Sequence, residues 1–516
     1  MKHLDKIEIL KNVASGWFGF VVNVATGLLL SPYILHRLGD DAFGLWVLVF
    51  AITGYYGLFD FGIRSSVVRY VAKFNAVNDR EHLDQIINTS LFSYSCVGFL
   101  LVLLTIVGAL FIQKLFHVPD IHQARLLFLM VGGSLAVGFP FAVIAGILEG
   151  IQKFYISNLT NVTTTILRAL LIVVALHYGY GLLTIAAITA VIPLTNGVVN
   201  TINVLRLTPL RLGRRFVTMG TFKTIFNYGS VTFMVSLASR LRFKSDAVII
   251  GSFISAAAVT QFAIGSRLVD YATDMVDSLA QIFTPMSSHL EAKGDIERLR
   301  AVYIEGNRAC ALVIFPMCAG LIIMGKSVIQ VWMGAKYVAA SYPVMLVLLI
   351  PSTLRMAQAT SGRILYGIAR HKMLAIVTLL EGLLNLVLSI ILVRSHGIIG
   401  DAYGTAIPLT LTCIFFLPTY LCHLLGLKVR TFLRKAYTAP LLLCLPMIAV
   451  LISMQHWFVP HTLLGVLVQV LAAGGVYVGF VYYFMVVKGP LNLRRGSSKQ
   501  TEAEPEAVVT SYPGEG

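Results

Sequence analysis

Residues 86–112 read IINTSLFSYSCVGFLLVLLTIVGALFI, 27 residues without a single charged side chain. As a helix this run exceeds the about 20 residues that cross a bilayer core. The chain repeats the pattern along its length. Hydrophobic residues make up 57% of it and charged residues only 12%, with a mean hydropathy of +0.81. A water-soluble domain cannot bury that much apolar surface, whereas a bundle bathed in lipid has no need to.

By the span criterion about fourteen apolar stretches follow one another. They lie near 11–35, 42–63, 86–112, 124–148, 159–177, 181–205, 225–251, 257–285, 307–324, 341–362, 373–393, 397–424, 437–455 and 462–487. The runs are continuous rather than alternating, which argues against a membrane β-barrel. The longest connections expected at the basic end are 64–85, 206–224 and 286–306, too short for a separate catalytic domain. The net charge of +16 is a matter of topology rather than of nucleic acid. With a cytoplasmic amino terminus, alternate loops hold 27 Lys and Arg on that side and 6 on the other. That is the positive-inside bias, and it places both termini in the cytoplasm of a bacterial cell. The basic side also attracts anionic lipid.

Part of the series occurs twice. ILEGIQKF (147–154) is answered by ILYGIARH (364–371), 217 positions later. VNDREHLDQI (77–86) is answered by KGDIERLRAV (293–302), which offsets Asp79 from Asp295 by 216, and Pro193 from Pro408 lies at 215. Six spans per copy is an even number, so both copies insert the same way up, as a parallel repeat. The reading is an all-α polytopic membrane protein with two parallel six-helix repeats plus two C-terminal helices. It divides into an N-terminal bundle (1–206), a basic linker (207–224), a C-terminal bundle (225–425), two extra helices (426–488) and a disordered tail (489–516). Two bundles facing each other across a cleft are the plan of an alternating-access transporter.

A charge at bilayer depth is expensive and faces a wet cavity or a partner. Arg267, Asp270, Asp274 and Asp277 lie at i, i+3, i+7 and i+10 of the eighth span and share one face. Asp60 and Arg64 stand four apart in the second span, in register to pair; Arg64 equally reads as a cation at the helix end. The seventh span carries Arg240, Arg242 and Lys244 in SRLRFKSD (239–246), where a bent or broken helix is expected. Arg168, Arg355 and Glu381 are isolated charges in other spans. Single residues of this kind also serve as paired structural groups. Together they describe a cleft of positive character, suited to an anionic substrate. The candidate substrate-binding residues are Arg64, Arg168, Arg240, Arg242, Lys244, Arg267 and Arg355. The candidate ion-coupling residues are Asp60, Asp270, Asp274, Asp277 and Glu381. No nucleotide-binding loop, zinc motif or nucleophile elbow occurs in the sequence. No cofactor or metal is expected, and transport draws on an ion gradient, the membrane potential or removal of product. The six cysteines lie in or beside apolar stretches and read as packing residues.

The run LSPYILHRLGDDAFGLWVLVFAITGYYGLFDFGIRSSVVRYVAKF (30–74) resembles the start of the bacterial polysaccharide-biosynthesis flippases. These belong to the multidrug/oligosaccharidyl-lipid/polysaccharide export superfamily. The matching positions are Leu38, Gly39, Asp40, Phe43, Gly44, Asp60, Gly62, Arg64 and Arg69. A similar pattern recurs at DAVIIGSFISAAAVTQFAIGSRLVD (246–270), with Thr260, Gln261 and Phe262 where the family has Gly and Tyr. The resemblance implies fourteen spans and a non-enzymatic role. It implies an O-antigen-type flippase that moves a polyprenyl-diphosphate-linked oligosaccharide to the outer leaflet of the inner membrane. Its partners would be membrane lipid, that glycan, a polysaccharide polymerase and glycosyltransferases. An ion-coupled multidrug exporter of the same superfamily is the alternative, favoured by the acidic stripe of the eighth span. A polytopic glycosyltransferase or polymerase would need a longer outward loop.

Overall fold

The computed structural model describes residues 6–116, 120–208, 210–227, 233 and 245–487. Among these the chain is helical throughout, with no strand. The first half comprises α1 (Lys6–Leu38), α2 (Asp40–Gly54), α3 (Ile63–Ala76), α4 (Arg80–Leu115), α5 (Ile121–Gly138), α6 (Phe141–Gly150), α7 (Phe154–His177) and α8 (Leu182–Leu207). The second comprises α9 (Ser245–Phe253), α10 (Ala256–Ala280), α11 (Phe283–Ala292), α12 (Ile296–Trp332), α13 (Val338–Ala357), α14 (Ala359–Gly367) and α15 (Lys372–Leu411). It closes with α16 (Leu417–Leu424), and α17 (Val429–Trp457) and α18 (Leu463–Val481) follow.

Eleven described helices are long and apolar enough to cross a membrane. The longest of these stretches, Lys372–Leu424, is two helices in succession, because Gly397 takes φ 60 and ψ −142 and breaks the ladder. Helix α10 falls outside the eleven on composition, since it carries Arg267, Asp270, Asp274 and Asp277 over 25 residues. Most of the seventh expected span lies outside the described residues. The arrangement is compatible with fourteen crossings.

The repeat is visible in local geometry. Asp79 and Asp295 each cap the long helix that follows. His82 N–H donates to Asp79 Oδ1 at 3.2 Å and Arg298 N–H to Asp295 Oδ1 at 3.0 Å. The residue before each cap is left-handed, Asn78 at φ 55 and Gly294 at φ 67. The paired octapeptides are helix ends with left-handed exits, Gln152 at φ 63 and Ala369 at φ 55. Packing follows suit: α3 on α6 and α11 on α14; α4 on α5 and α12 on α13; α5 on α8 and α13 on α15. Helix α17 lies along α12, and α18 covers both.

Two expectations are corrected. The connections at 64–85 and 286–306 are largely helix rather than loop. In α3, Ile63, Val67 and Val71 recur every four residues and bury against Val143, Ile144, Ile147 and Leu148 of α6, which makes a short amphipathic helix worthwhile. The second span, Asp40–Asp60, is also not one continuous α-helix. Helix α2 ends at Gly54, a 3-10 turn covers Tyr55–Asp60, and Phe61 and Gly62 are left-handed, at φ 48 and 71.

Gly150 and Gly367 let these short helices meet. A Cβ on Gly150 would stand 2.7 Å from Val71 Cβ, and one on Gly367 would stand 2.7 Å from the Thr284 carbonyl oxygen. Backbone cannot rotate away as a side chain can. Gly367→Ala is therefore expected to destabilise the protein by about 1–3 kcal/mol. Gly133→Ala, with nothing within 4 Å of its Cβ position, is expected to be near neutral. Unfolding midpoints of the two variants in detergent check this.

Candidate functional site

The two halves meet at the end where α1 finishes, here the far end, opposite the end where α1 begins, here the basic end. There Ile34, Leu35 and Phe43 join Val259, Phe262, Trp332, Tyr337 and Val344 in one core. Trp332 Nε1–H donates to the Leu28 carbonyl at 2.7 Å. Thr260 Oγ1–H donates to the Asp40 carbonyl at 2.7 Å. The Asp40 carboxylate takes Lys336 Nζ at 2.9 Å and a hydrogen bond from Tyr337 Oη. Glycine permits the approach of α2 and α10: a Cβ on Gly44 would overlap the Ala256 carbonyl oxygen.

Beside this closure lies a cavity of ≈ 660 Å³, walled by α1, α2, α7, α8, α9, α10, α12, α13 and α15. That volume suits a substantial ligand, in the usual range of about 300–1,000 Å³. Three arginines reach it from three helices: Arg168 from α7 in the first half, Arg267 from α10 and Arg355 from α13 in the second. Asp246, Asp270 and Asp274 line it as well. Arg267 lies 5.7 Å from the centre of the Tyr271 ring. Tyr271 in turn reaches across to α1, its hydroxyl 2.5 Å from where a Gly27 Cβ would be.

Other sequence candidates stand elsewhere. Arg64 is half-exposed and pairs with Glu149 of α6. The side-chain pair expected between Asp60 and Arg64 does not form, because the left-handed break separates their helices. Asp60 instead accepts from Tyr94 Oη and, at 3.2 Å, from the Arg64 backbone N–H. Asp277 sits beyond the cavity wall, with Arg363 Nη2 at 2.8 Å from both its oxygens. The first pair ties α3 to α6, whereas the second ties α10 to α14. Glu381 is buried within α15. Arg240, Arg242 and Lys244 lie outside the described residues.

One acidic centre escaped the sequence reading. Asp401 on α15 is fully buried and near enough to Asp246 to feel its charge. Around them, Thr405 Oγ1–H donates to Asp246 Oδ1 at 3.2 Å and Asn385 Nδ2–H donates to Thr405 Oγ1 at 2.8 Å. Ser389 Oγ–H donates to the Asp401 carbonyl at 3.2 Å. The available signal was Asp401 and Thr405 four apart on one face, opposite Asn385 and Ser389 at the same spacing.

Over residues 34–342, well over half its length, the sequence matches the model of the family described as polysaccharide biosynthesis protein. The chain belongs to that family. It is 24% identical over 438 residues to a putative O-antigen transporter of Shigella flexneri, an alignment spanning 81% of this chain and 99% of the relative. Its fold is that of the lipid II flippase MurJ in an inward closed conformation, with TM-score 0.72 at 17% identity, covering 92% of this chain and 98% of that one. An inward-facing multidrug transporter of the MATE family superposes with TM-score 0.65 at 14% identity, over 81% of this chain and 96% of that one.

Proposed function

We propose that this protein is a flippase that carries a polyprenyl-diphosphate-linked oligosaccharide across the bacterial cytoplasmic membrane by alternating access, for surface polysaccharide biosynthesis. One observation carries the reading: Arg168, Arg267 and Arg355 converge from both halves on a cavity deep between membrane-spanning helices. Guanidinium groups suit a diphosphate, whose oxygens accept paired N–H donors. The lipid tail needs no site in the cavity, because the bilayer solvates it. The family match and the kinship with a putative O-antigen transporter agree with this substrate class.

In this reading the bundles 1–206 and 225–425 rock about the cavity. The basic end faces the cytoplasm, as its 27 Lys and Arg against 6 favour, so the far-end closure makes this the inward state. Asp60 and Asp277 are held in polar contacts outside the cavity. The ions or protons that drive the cycle are therefore assigned to Asp246, Asp270, Asp274 and Asp401, the carboxylates in and beside the cavity. Polymerase and glycosyltransferases would act on the same glycan before and after transport.

Expression in a bacterium lacking its own O-antigen flippase tests the proposal. Restored surface polysaccharide is the expected outcome, and no restoration with the protein present in the membrane counts against it. The three carboxylates in the same cavity favour a second reading, export of cationic drugs. A broad rise in tolerance to such drugs on overexpression would promote it.

A further inference from the structure

Beyond the charged cavity, the first half carries a polar track that the diphosphate does not use. On α7, Asn161 and Thr164 precede Arg168 by seven and four residues, so the three share a face. Asn161 stands two turns, about 10 Å, nearer the basic end. On α8, Asn196 and Asn200 follow Thr189 by seven and eleven residues, again on one face. Arg168 and Thr189 line the cavity, so both stripes continue its wall toward the mouth. The stripes are joined side by side. Asn196 Nδ2 is 2.6 Å from Asn161 Oδ1 and 3.1 Å from Thr164 Oγ1, and Asn200 Nδ2 is 2.7 Å from Asn196 Oδ1.

Amides between membrane helices often serve only to join them. Two observations go beyond that role. Thr189 Oγ1 and Asn200 Oδ1 are buried, in residues 7% and 4% exposed, and neither has a hydrogen-bond partner. An unmatched buried acceptor is costly, so these two groups would gain from a donor that a ligand brings. The track is also free of charge: residues 154–167 of α7 and 182–205 of α8 contain no Asp, Glu, Lys or Arg. Amide and hydroxyl groups without charges match the hydroxyl and N-acetyl groups of neutral sugars, which both donate and accept. They bring no positive charge to offset the desolvation of a sugar carboxylate.

We propose that this track is a glycan subsite for uncharged sugars, lying below the arginines that hold the diphosphate. The inference rests on the flippase reading and specifies its cargo: the sugars nearest the diphosphate are neutral. Purified protein in lipid nanodiscs would be probed with three lipids by competition binding: bare undecaprenyl diphosphate, the same lipid bearing one N-acetylhexosamine, and the same lipid bearing one uronic acid. The N-acetylhexosamine lipid is expected to bind about tenfold more tightly than the bare lipid, with no gain for the uronic acid lipid. Asn161→Ala combined with Asn196→Ala is expected to bring the neutral-sugar lipid to within twofold of the bare one. Arg168→Ala should weaken all three alike. Asn161 is exposed, so Asn161→Ala alone, expected to cut the gain at least threefold, decides the matter if the double variant does not fold. Equal binding of bare and neutral-sugar lipids, a gain for the uronic acid, or a gain that survives both substitutions overturns the subsite. Failure of every diphosphate lipid to bind the wild type overturns the flippase reading itself.

Discussion

Arg267→Ala is expected to cut glycan transport by one to two orders of magnitude while the protein remains in the membrane. Arg267 lines the cavity beside Asp270 and Asp274, against the Tyr271 ring. A hydrogen bond to a charged group contributes about 1.5–3 kcal/mol, roughly 10–150-fold in affinity. Arg267 is exposed within the cavity, so water screens part of that attraction and the loss stays short of the top of the range. Removal also leaves the neighbouring carboxylates to repel an incoming diphosphate. Arg267→Lys keeps the charge but not the planar fork, and should recover only part of the loss. Arg298→Ala is the contrast: its side chain is 78% exposed in an ion pair with Asp295, where such pairs contribute about 0–1 kcal/mol. Surface polysaccharide in a flippase-deficient host, normalised to membrane-inserted protein, gives the readout. Near-normal export by Arg267→Ala would remove the cavity from the mechanism.

The sequence made some of this legible for physical reasons. Lipid leaves no ambiguity about long apolar runs, so the spans could be read directly. The repeat survived at Asp79 and Asp295, and at Gln152 and Ala369, because caps and left-handed exits fix where a helix may begin or end. Helical periodicity correctly put Arg267, Asp270 and Asp274 on one face, and that face lines the cavity. Periodicity fails where it assumes a helix continues. Asp60 and Arg64 look like neighbours on one face, yet Phe61 and Gly62 turn left-handed between them, and Arg64 reaches Glu149 instead. Asp277 keeps the spacing of its stripe but meets Arg363, which lies 86 residues away and has no local signature. Asp401 was overlooked for the opposite reason. Its importance comes from Asp246, on another helix, and distance along the chain conceals such pairs.

Gly44→Ala is expected to hold the far end open and nearly abolish transport. The added Cβ would overlap the Ala256 carbonyl oxygen and stand 2.8 Å from Thr260 Oγ1. The Thr260 hydroxyl is already committed to the Asp40 carbonyl at 2.7 Å, so the first turns of α2 and α10 have no slack. The helices must separate, and overpacking of this kind costs about 1–3 kcal/mol. That cost falls only on the closed far end, so it acts as a differential between two states and shifts their ratio by roughly 5–150-fold. Breaking the nearby ion pair should do less. Lys336 is 65% exposed, and Asp40→Asn forfeits a screened attraction of about 0–1 kcal/mol while keeping the backbone contact. Packing, not charge, is therefore expected to dominate the closure. The measurement is the rate at which a membrane-impermeant maleimide, added from the far side, labels Val47→Cys in the cavity wall, with Cys96 replaced by serine. Labelling should rise at least about fivefold in Gly44→Ala and less in Asp40→Asn, following the two energies. Unchanged labelling together with intact transport in Gly44→Ala would mean that α2 and α10 do not form the outer closure of the cycle.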